Sequence, residues 1–215
     1  MDTEVFLAWI ATAATVIEAN RDHLTQLDAA IGDADHGTNL ARGFAAVTAA
    51  IDSADPRPAT PGAVLTLTGS TLISKVGGAS GPLYGVAFRR AGKALGTAAA
   101  VDLTALEQAL EAALAGVQQL GAAREGDKTM VDALAPATRA FGKAIAEGAA
   151  PAAALAALAA AAAAGAAATV SMQARKGRAS YLGPRSVGHE DPGAASTALI
   201  LAALRDTASR DAGAR

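Results

Sequence analysis

Three aspartates, Asp28, Asp33 and Asp35, crowd into one short stretch at the end of a helical pattern and in the turn after it. Carboxylates held this close repel one another unless something positive sits among them. Oxygen-only ligands of this hardness suit Mg²⁺ or Ca²⁺ rather than zinc or copper. A plainer role competes, because Asp is a favoured helix N-cap and Asp33 and Asp35 could simply open the next helix. An EF-hand does not fit. Counted from Asp33, position six is Thr38 where Gly is required, and position twelve is Phe44 where Glu is required.

Three further junctions are rich in glycine or charge. Val76–Gly85 (VGGASGPLYG) offers backbone N–H groups with little steric cover, and Ser80 adds a hydroxyl. Gly81-Pro82 can start a helix whose N-terminus faces an anion, as in loops that cradle phosphate; a close helix crossing would use the same glycines. Gly121–Thr129 (GAAREGDKT) nearly matches GxxxxGK[ST], but Asp127 separates Gly126 from Lys128. It also follows an amphipathic helix where a P-loop follows a strand, so a P-loop is rejected. Its glycines can still border a nucleotide. In Ala174–Gly193, Arg175, Lys176, Arg178 and Arg185 precede His189, Asp191 and Gly193. Four cations near three carboxylates suit a polyphosphate bridged by metal, the alternative being a solvated basic loop. His23 and His189 read as structural or surface residues. His36, inside the aspartate loop, has the better claim to ligand contact.

The elements that must position these junctions are helices. The chain has 215 residues, 52% hydrophobic but only 3% aromatic, so its core must be built from Ala, Leu, Val and Ile. Ala is the best helix former, and small side chains let helices approach closely. Phe6, Trp9, Ile10, Ala13 and Ile17 follow Thr3, a candidate N-cap, at three-four spacing. Leu103, Leu106, Leu110, Leu114, Val117 and Leu120 make the clearest stripe, with Asp102 as cap. Val131, Leu134, Phe141 and Ile145 give another, with a bend expected near Pro136. Adding Asn39–Ser53, Pro61–Lys75, Pro82–Leu95, the Ala-rich segment 149–169 and a last helix through Ala198, Leu201, Ala202 and Leu204 gives about eight helices. No run alternates with period two. The expected fold is all-α, a barrel or bundle of about eight antiparallel helices forming a single domain over 1–215. The four junctions follow helices one, three, five and seven. In an up-and-down array those ends share a rim, where the site would lie.

Net charge is −2, and no Lys/Arg run marks a face for nucleic acid or anionic lipid. The absence of cysteine rules out a disulfide framework or thiolate site. Acids at Asp2 and Glu4 stand where a signal peptide needs a basic region. Gly148–Val170 is long enough to span a membrane, but it is mostly Ala and carries Pro151 and Gly165, weak for a spanning helix. It reads as a buried or interfacial helix of a cytoplasmic protein, with no membrane partner.

The string IGDADHGTNLARG at 31–43, with Asp28 just upstream, resembles the metal motif of the dihydroxyacetone kinase L subunit family. VGGASGPLYG at 76–85, GDKTM at 126–130 and QARKGRASYLGPRSVGHEDPGAAS at 173–196 resemble its other blocks, in the same order, from about residue 5 to 205. The resemblance implies a barrel of eight antiparallel helices that holds ADP or ATP and two Mg²⁺ at one end. It implies that Asp28, Asp33 and Asp35 bind the magnesiums. His36, Gly37, Thr38, Asn39, Ala79, Ser80, Gly121, Met130, Arg178 and the Asp191-Pro192-Gly193 turn would line the nucleotide, Arg178 being the catalytic cation. The family's substrate-binding histidine lies on a K subunit. In phosphotransferase-linked members, ADP stays bound as a cofactor and is rephosphorylated by a phosphohistidine on an M subunit. The phosphoryl group then passes to dihydroxyacetone on the K subunit. Alternatives are an ATP-dependent two-subunit kinase of dihydroxyacetone or erythrulose, and a nucleotide-loaded module acting on a transcriptional regulator.

Overall fold

The leucine stripe folds as Leu103–Gly121, opened by Asp102, whose Oδ1 accepts the Ala105 N–H at 2.8 Å. Asp102→Ala should lower unfolding free energy by about 1 kcal/mol, because one orphan N–H of the first turn loses its partner. An unshifted urea midpoint would contradict it. The computed structural model describes residues 1–214. Among them run α1 (Thr3–Ala19), α2 (Arg21–Ile31), α3 (His36–Asp52), α4 (Pro61–Lys75), α5 (Ser80–Leu95), α6 (Leu103–Gly121), α7 (Val131–Ala146), α8 (Pro151–Ala168) and α9 (Pro192–Ala214). Two 3₁₀ segments, Thr169–Ser171 and Arg178–Ser186, lie between α8 and α9. No strand occurs among the described residues, only an isolated bridge between Asp2 and Ala100.

From α3 onward each helix packs on its successor, and α9 returns against α1, which in turn packs on α3. Short links and this closed order make an antiparallel barrel. Its first position is filled twice. The first helical pattern breaks at Asn20 (φ −103°, ψ 8°), whose side-chain amide donates to the Val16 carbonyl at 2.8 Å. Such local bonding lets Asn leave a helix at little cost. Thus α1 and α2 share the space between α3 and α9. The first cap also differs: Asp2 accepts the Val5 N–H at 3.2 Å, and Thr3 is the first helical residue.

The few aromatics are concentrated, not marginal. Phe6 meets Trp9 edge-on at 5.8 Å, Trp9 meets Phe88 at 5.9 Å, and Phe88 meets Phe44 at 6.3 Å. The Trp9 indole N–H donates to the Ile200 carbonyl at 2.9 Å, tying α1 to α9. Aliphatic side chains fill the remainder of the core. Helices α4 and α5 approach backbone to backbone: a Cβ on Gly69 would sit 2.4 Å from the Gly85 carbonyl oxygen.

Helix α7 runs through Pro136. Proline leaves the Asp132 carbonyl without its helical donor, and α8 crosses there on Gly165, where a Cβ would lie 2.1 Å from that oxygen. Residues Pro151–Ser171 are long and apolar enough to cross a membrane by length and composition alone. In the fold their inner face, including Leu155, Leu158, Ala162 and Ala166, is buried, with α7 and α9 as its neighbours.

Candidate functional site

The four junctions converge. A cavity of about 280 Å³ is lined by residues drawn from all four junctions, among them Asp28, Asp33, Asp35 and His36, then Ala79 and Ser80, then Gly121 and Met130, then Arg178 and Asp191 to Gly193. Helix ends make the same point. At the far end of the barrel, Asp2, Thr60 and Asp102 cap α1, α4 and α6 with their own side chains. At the cavity, the N-cap residues of α3, α5 and α7 are Asp35, Ala79 and Met130, none of which caps its helix with its own side chain. At α3 the His36 N–H is taken by Asp28 Oδ2, and at α7 the Val131 N–H is taken by Thr129 Oγ1. The start of α5, at Ser80 and Gly81, offers its N–H donors and the positive end of its dipole to an anion.

Within that cavity, one carboxylate oxygen from each of Asp28, Asp33 and Asp35 lies within 4.8 Å of the others. Ligands on opposite sides of Mg²⁺, each at about 2.1 Å, would be about 4.2 Å apart, so the three acids fit a hard divalent ion with little movement. Asp28 is buried, and its Oδ2 accepts the N–H groups of Asp35 (2.8 Å) and His36 (3.1 Å), which fixes the turn around it. A Cβ on Gly32 would meet Asp28 Oδ1 at 2.0 Å, so a larger residue there would displace the Asp28 carboxylate. The Arg178 Nε lies 3.0 Å from Asp33 Oδ2, an ion pair that joins the fourth junction to the first. Both groups are well exposed, and an ion pair of that kind contributes only about 0–1 kcal/mol, so it exchanges readily for a ligand.

The residues that follow the aspartates divide. His36 lines the cavity, and its buried ring places Nε2 2.9 Å from Ser196 Oγ. Burial holds its pKa below the usual imidazole value, against the pull of Asp28 and Asp35. Gly37, Thr38 and Asn39 fall outside the lining. Gly37 marks the crossing of α2 and α3, where a Cβ would sit 2.0 Å from the Arg21 carbonyl oxygen. Thr38 is exposed, and Asn39 Oδ1 accepts from Arg42 at 2.7 Å.

Ala79, Ser80, Gly121, Met130, Asp191, Pro192 and Gly193 all line the cavity, as do Lys176 and Arg178; Arg175 and Arg185 do not. Asp191 caps α9 by accepting the Ala194 N–H at 2.7 Å. Burial pushes its carboxyl up to about 7, with the Ala194 N–H and Lys128 pulling the other way.

Several lining residues were not proposed for the site from the sequence. Leu83, Val117, Ala123 and Val131 add an apolar wall beside Met130. Tyr84, fully inside, places its hydroxyl 3.0 Å from the Gly193 carbonyl, 2.7 Å from Ser196 Oγ and 2.8 Å from Thr197 Oγ1. One signal was available: Tyr84 lies four residues after Ser80, hence on the same helix face. Asp132 holds the rejected P-loop segment, accepting the Gly126 N–H at 2.5 Å and the Thr129 N–H at 2.8 Å. Asp127 accepts the Arg124 N–H at 3.0 Å, so the residue that breaks the P-loop pattern closes a turn of its own.

Fold and site together define a class: an antiparallel helical barrel with an acidic cluster and several helix starts around one cavity. Residues 30–206 match the DAK2 domain, and the chain belongs to that family. It is 39% identical over 206 residues to the ADP-binding subunit of PEP-dependent dihydroxyacetone kinase 1 of Listeria innocua, covering 96% of this chain and 97% of that protein. It is 40% identical over 196 residues to the ADP-binding subunit of the PEP-dependent dihydroxyacetone kinase of Escherichia coli K12, covering 91% and 92%. Both relatives are subunits of kinases, that is, of phosphotransferases. Among solved structures, the dihydroxyacetone kinase of C. freundii in complex with AMP-PNP and Mg²⁺ superposes with a TM-score of 0.69 at 27% identity. The match covers 96% of this chain and 34% of that one.

Proposed function

We propose that this chain is the nucleotide-holding subunit of a phosphotransferase-dependent dihydroxyacetone kinase, acting in the cytoplasm as one domain. It keeps ADP/ATP with two Mg²⁺, receives a phosphoryl group from a phosphohistidine on an M subunit, and delivers it to dihydroxyacetone on a K subunit. The observation that carries this reading is the meeting of the Asp28, Asp33 and Asp35 cluster with the open start of α5 in one cavity. Near-full-length similarity to two ADP-binding subunits supports it.

Phosphoryl transfer asks a protein mainly for in-line positioning and charge neutralisation. Bound magnesium supplies part of that neutralisation. Asp28, Asp33 and Asp35 would hold the ions, with Asp28 pre-oriented by two backbone N–H groups. The open start of α5 at Ser80 would receive phosphate oxygens, and the apolar wall at Leu83, Val117 and Met130 would take the base. Arg178, already beside Asp33, would stabilise charge developing on the transferred group.

The test is retention. Chain gel-filtered in Mg²⁺ should carry stoichiometric ADP, and a chelator should strip it. A protein free of nucleotide in Mg²⁺ would end the reading. Slow ADP exchange on dilution supports the relay. Rapid exchange points instead to an ATP-consuming kinase of dihydroxyacetone or erythrulose, and capture of a transcriptional regulator in place of K and M subunits to a signalling module.

A further inference from the structure

The motif Gly121–Thr129 contains a lysine, Lys128, that borders the cavity yet directs its ammonium to backbone carbonyls. Lys128 is 1% exposed and is the sole buried Lys or Arg among the described residues. An ammonium taken out of water costs several kcal/mol unless its hydrogen bonds are supplied. The backbone there is left-handed as well (φ +61°), which costs a β-carbon residue about 1–2 kcal/mol. Two unfavourable terms at one residue call for a compensating role.

The side chain serves loops, not the acidic cluster. Nζ donates to the Thr169 carbonyl at 2.7 Å, just past the end of α8, and to the His189 carbonyl. A cation at a helix C-terminus also meets the negative end of the dipole. Neighbouring bonds run between the same two segments. The Asp191 N–H donates to Thr169 Oγ1 at 2.9 Å, and the Gly188 N–H to the Val170 carbonyl at 2.7 Å. Residues 188–191 are therefore strapped to 169–170, with Lys128 at the centre. The next two residues, Pro192 and Gly193, are cavity wall, and a Cβ on Gly193 would lie 3.5 Å from the Met130 backbone nitrogen. The other end of the clamp is rigid because Asp132 fixes the turn that carries Lys128.

We infer that Lys128 is a positioning residue for nucleotide retention, its buried ammonium locking segment 188–193 to the end of α8 and so holding the Asp191-Pro192-Gly193 wall opposite Met130. The inference rests on the reading of the cavity as a nucleotide site. Lys128 acts through the wall and not on phosphate.

The test uses the full chain with Mg²⁺ and a fluorescent ADP analogue, comparing Lys128→Met and Thr169→Val with the parent. Thr169→Val removes the acceptor of the Asp191 N–H without touching the buried charge. Both variants should release the analogue at least about tenfold faster, an effect of about 1.4 kcal/mol. Without nucleotide, both should lose amide-exchange protection at 188–195 while α1 and α4 keep theirs. A Lys128→Met release rate within about twofold of the parent would overturn the proposal. So would protection lost evenly around the barrel, which would mark a purely structural lysine. If Lys128→Met does not fold, Thr169→Val decides by the same two readouts. A parent protein that holds no nucleotide sinks the reading of the cavity itself, and exchange at 188–195 still shows whether Lys128 holds the strap.

Discussion

Asp33→Ala should weaken ADP binding in Mg²⁺ by at least about a hundredfold, since a hard cation loses one of three carboxylate ligands. The fold should survive. Asp33 is the exposed member of the cluster, and it pairs with the exposed Arg178. Removing such a pair changes stability by about 0–1 kcal/mol. Calorimetric titration with ADP should therefore show a large loss in Mg²⁺ and almost none in chelator, with the far-ultraviolet dichroism unchanged. The chelator arm separates metal-mediated binding from direct contact with the protein. Wild-type affinity of the variant in Mg²⁺ would remove the metal assignment.

Arg178→Ala should slow phosphoryl transfer in the assembled system by about a hundredfold or more, the scale seen when a cation beside a transferring phosphoryl group is lost. Arg178 places its guanidinium against Asp33 while the side chain stays 68% exposed. Its loss therefore opens no core cavity, and the thermal midpoint should hardly move. Arg178→Lys keeps the charge but loses the planar fork, so it should recover only part of the rate. Transfer at the parental rate in Arg178→Ala would strip Arg178 of its catalytic role. The two variants divide the site, Asp33 governing whether nucleotide is held and Arg178 how fast it is used.

Much of the architecture could be read from local pattern. Pro61–Lys75 begins and ends where its proline and lysine suggest, and the α6 stripe is capped by Asp102 as its spacing requires. Local pattern failed where two nearby signals compete. Asp2 takes the cap that Thr3 could have taken, and Asn20 interrupts an apolar period that runs on past it. Gly37, Thr38 and Asn39 belong to the same motif string as the aspartates, and their surroundings differ: Gly37 packs on α2, Thr38 is exposed, and Asn39 accepts from Arg42. Adjacency in sequence does not place successive helical residues on one face, because each step turns the helix by about 100°.

From its residues alone, the chain determined that it is helical, where its helices start and stop to within a few residues, and that its polar junctions alternate along the chain. Those properties follow from propensity, caps and the 3.6-residue period, all of which act between near neighbours. Tertiary structure decided which atoms face one another across junctions far apart in sequence: the Arg178–Asp33 pair, the Tyr84 hydroxyl on Gly193, and Lys128 under the 188–193 strap. Burial creates those contacts. A lysine reads as solvated in any sequence, and only the closing of α7, α8 and α9 around Lys128 takes its ammonium out of water and gives it two carbonyls instead.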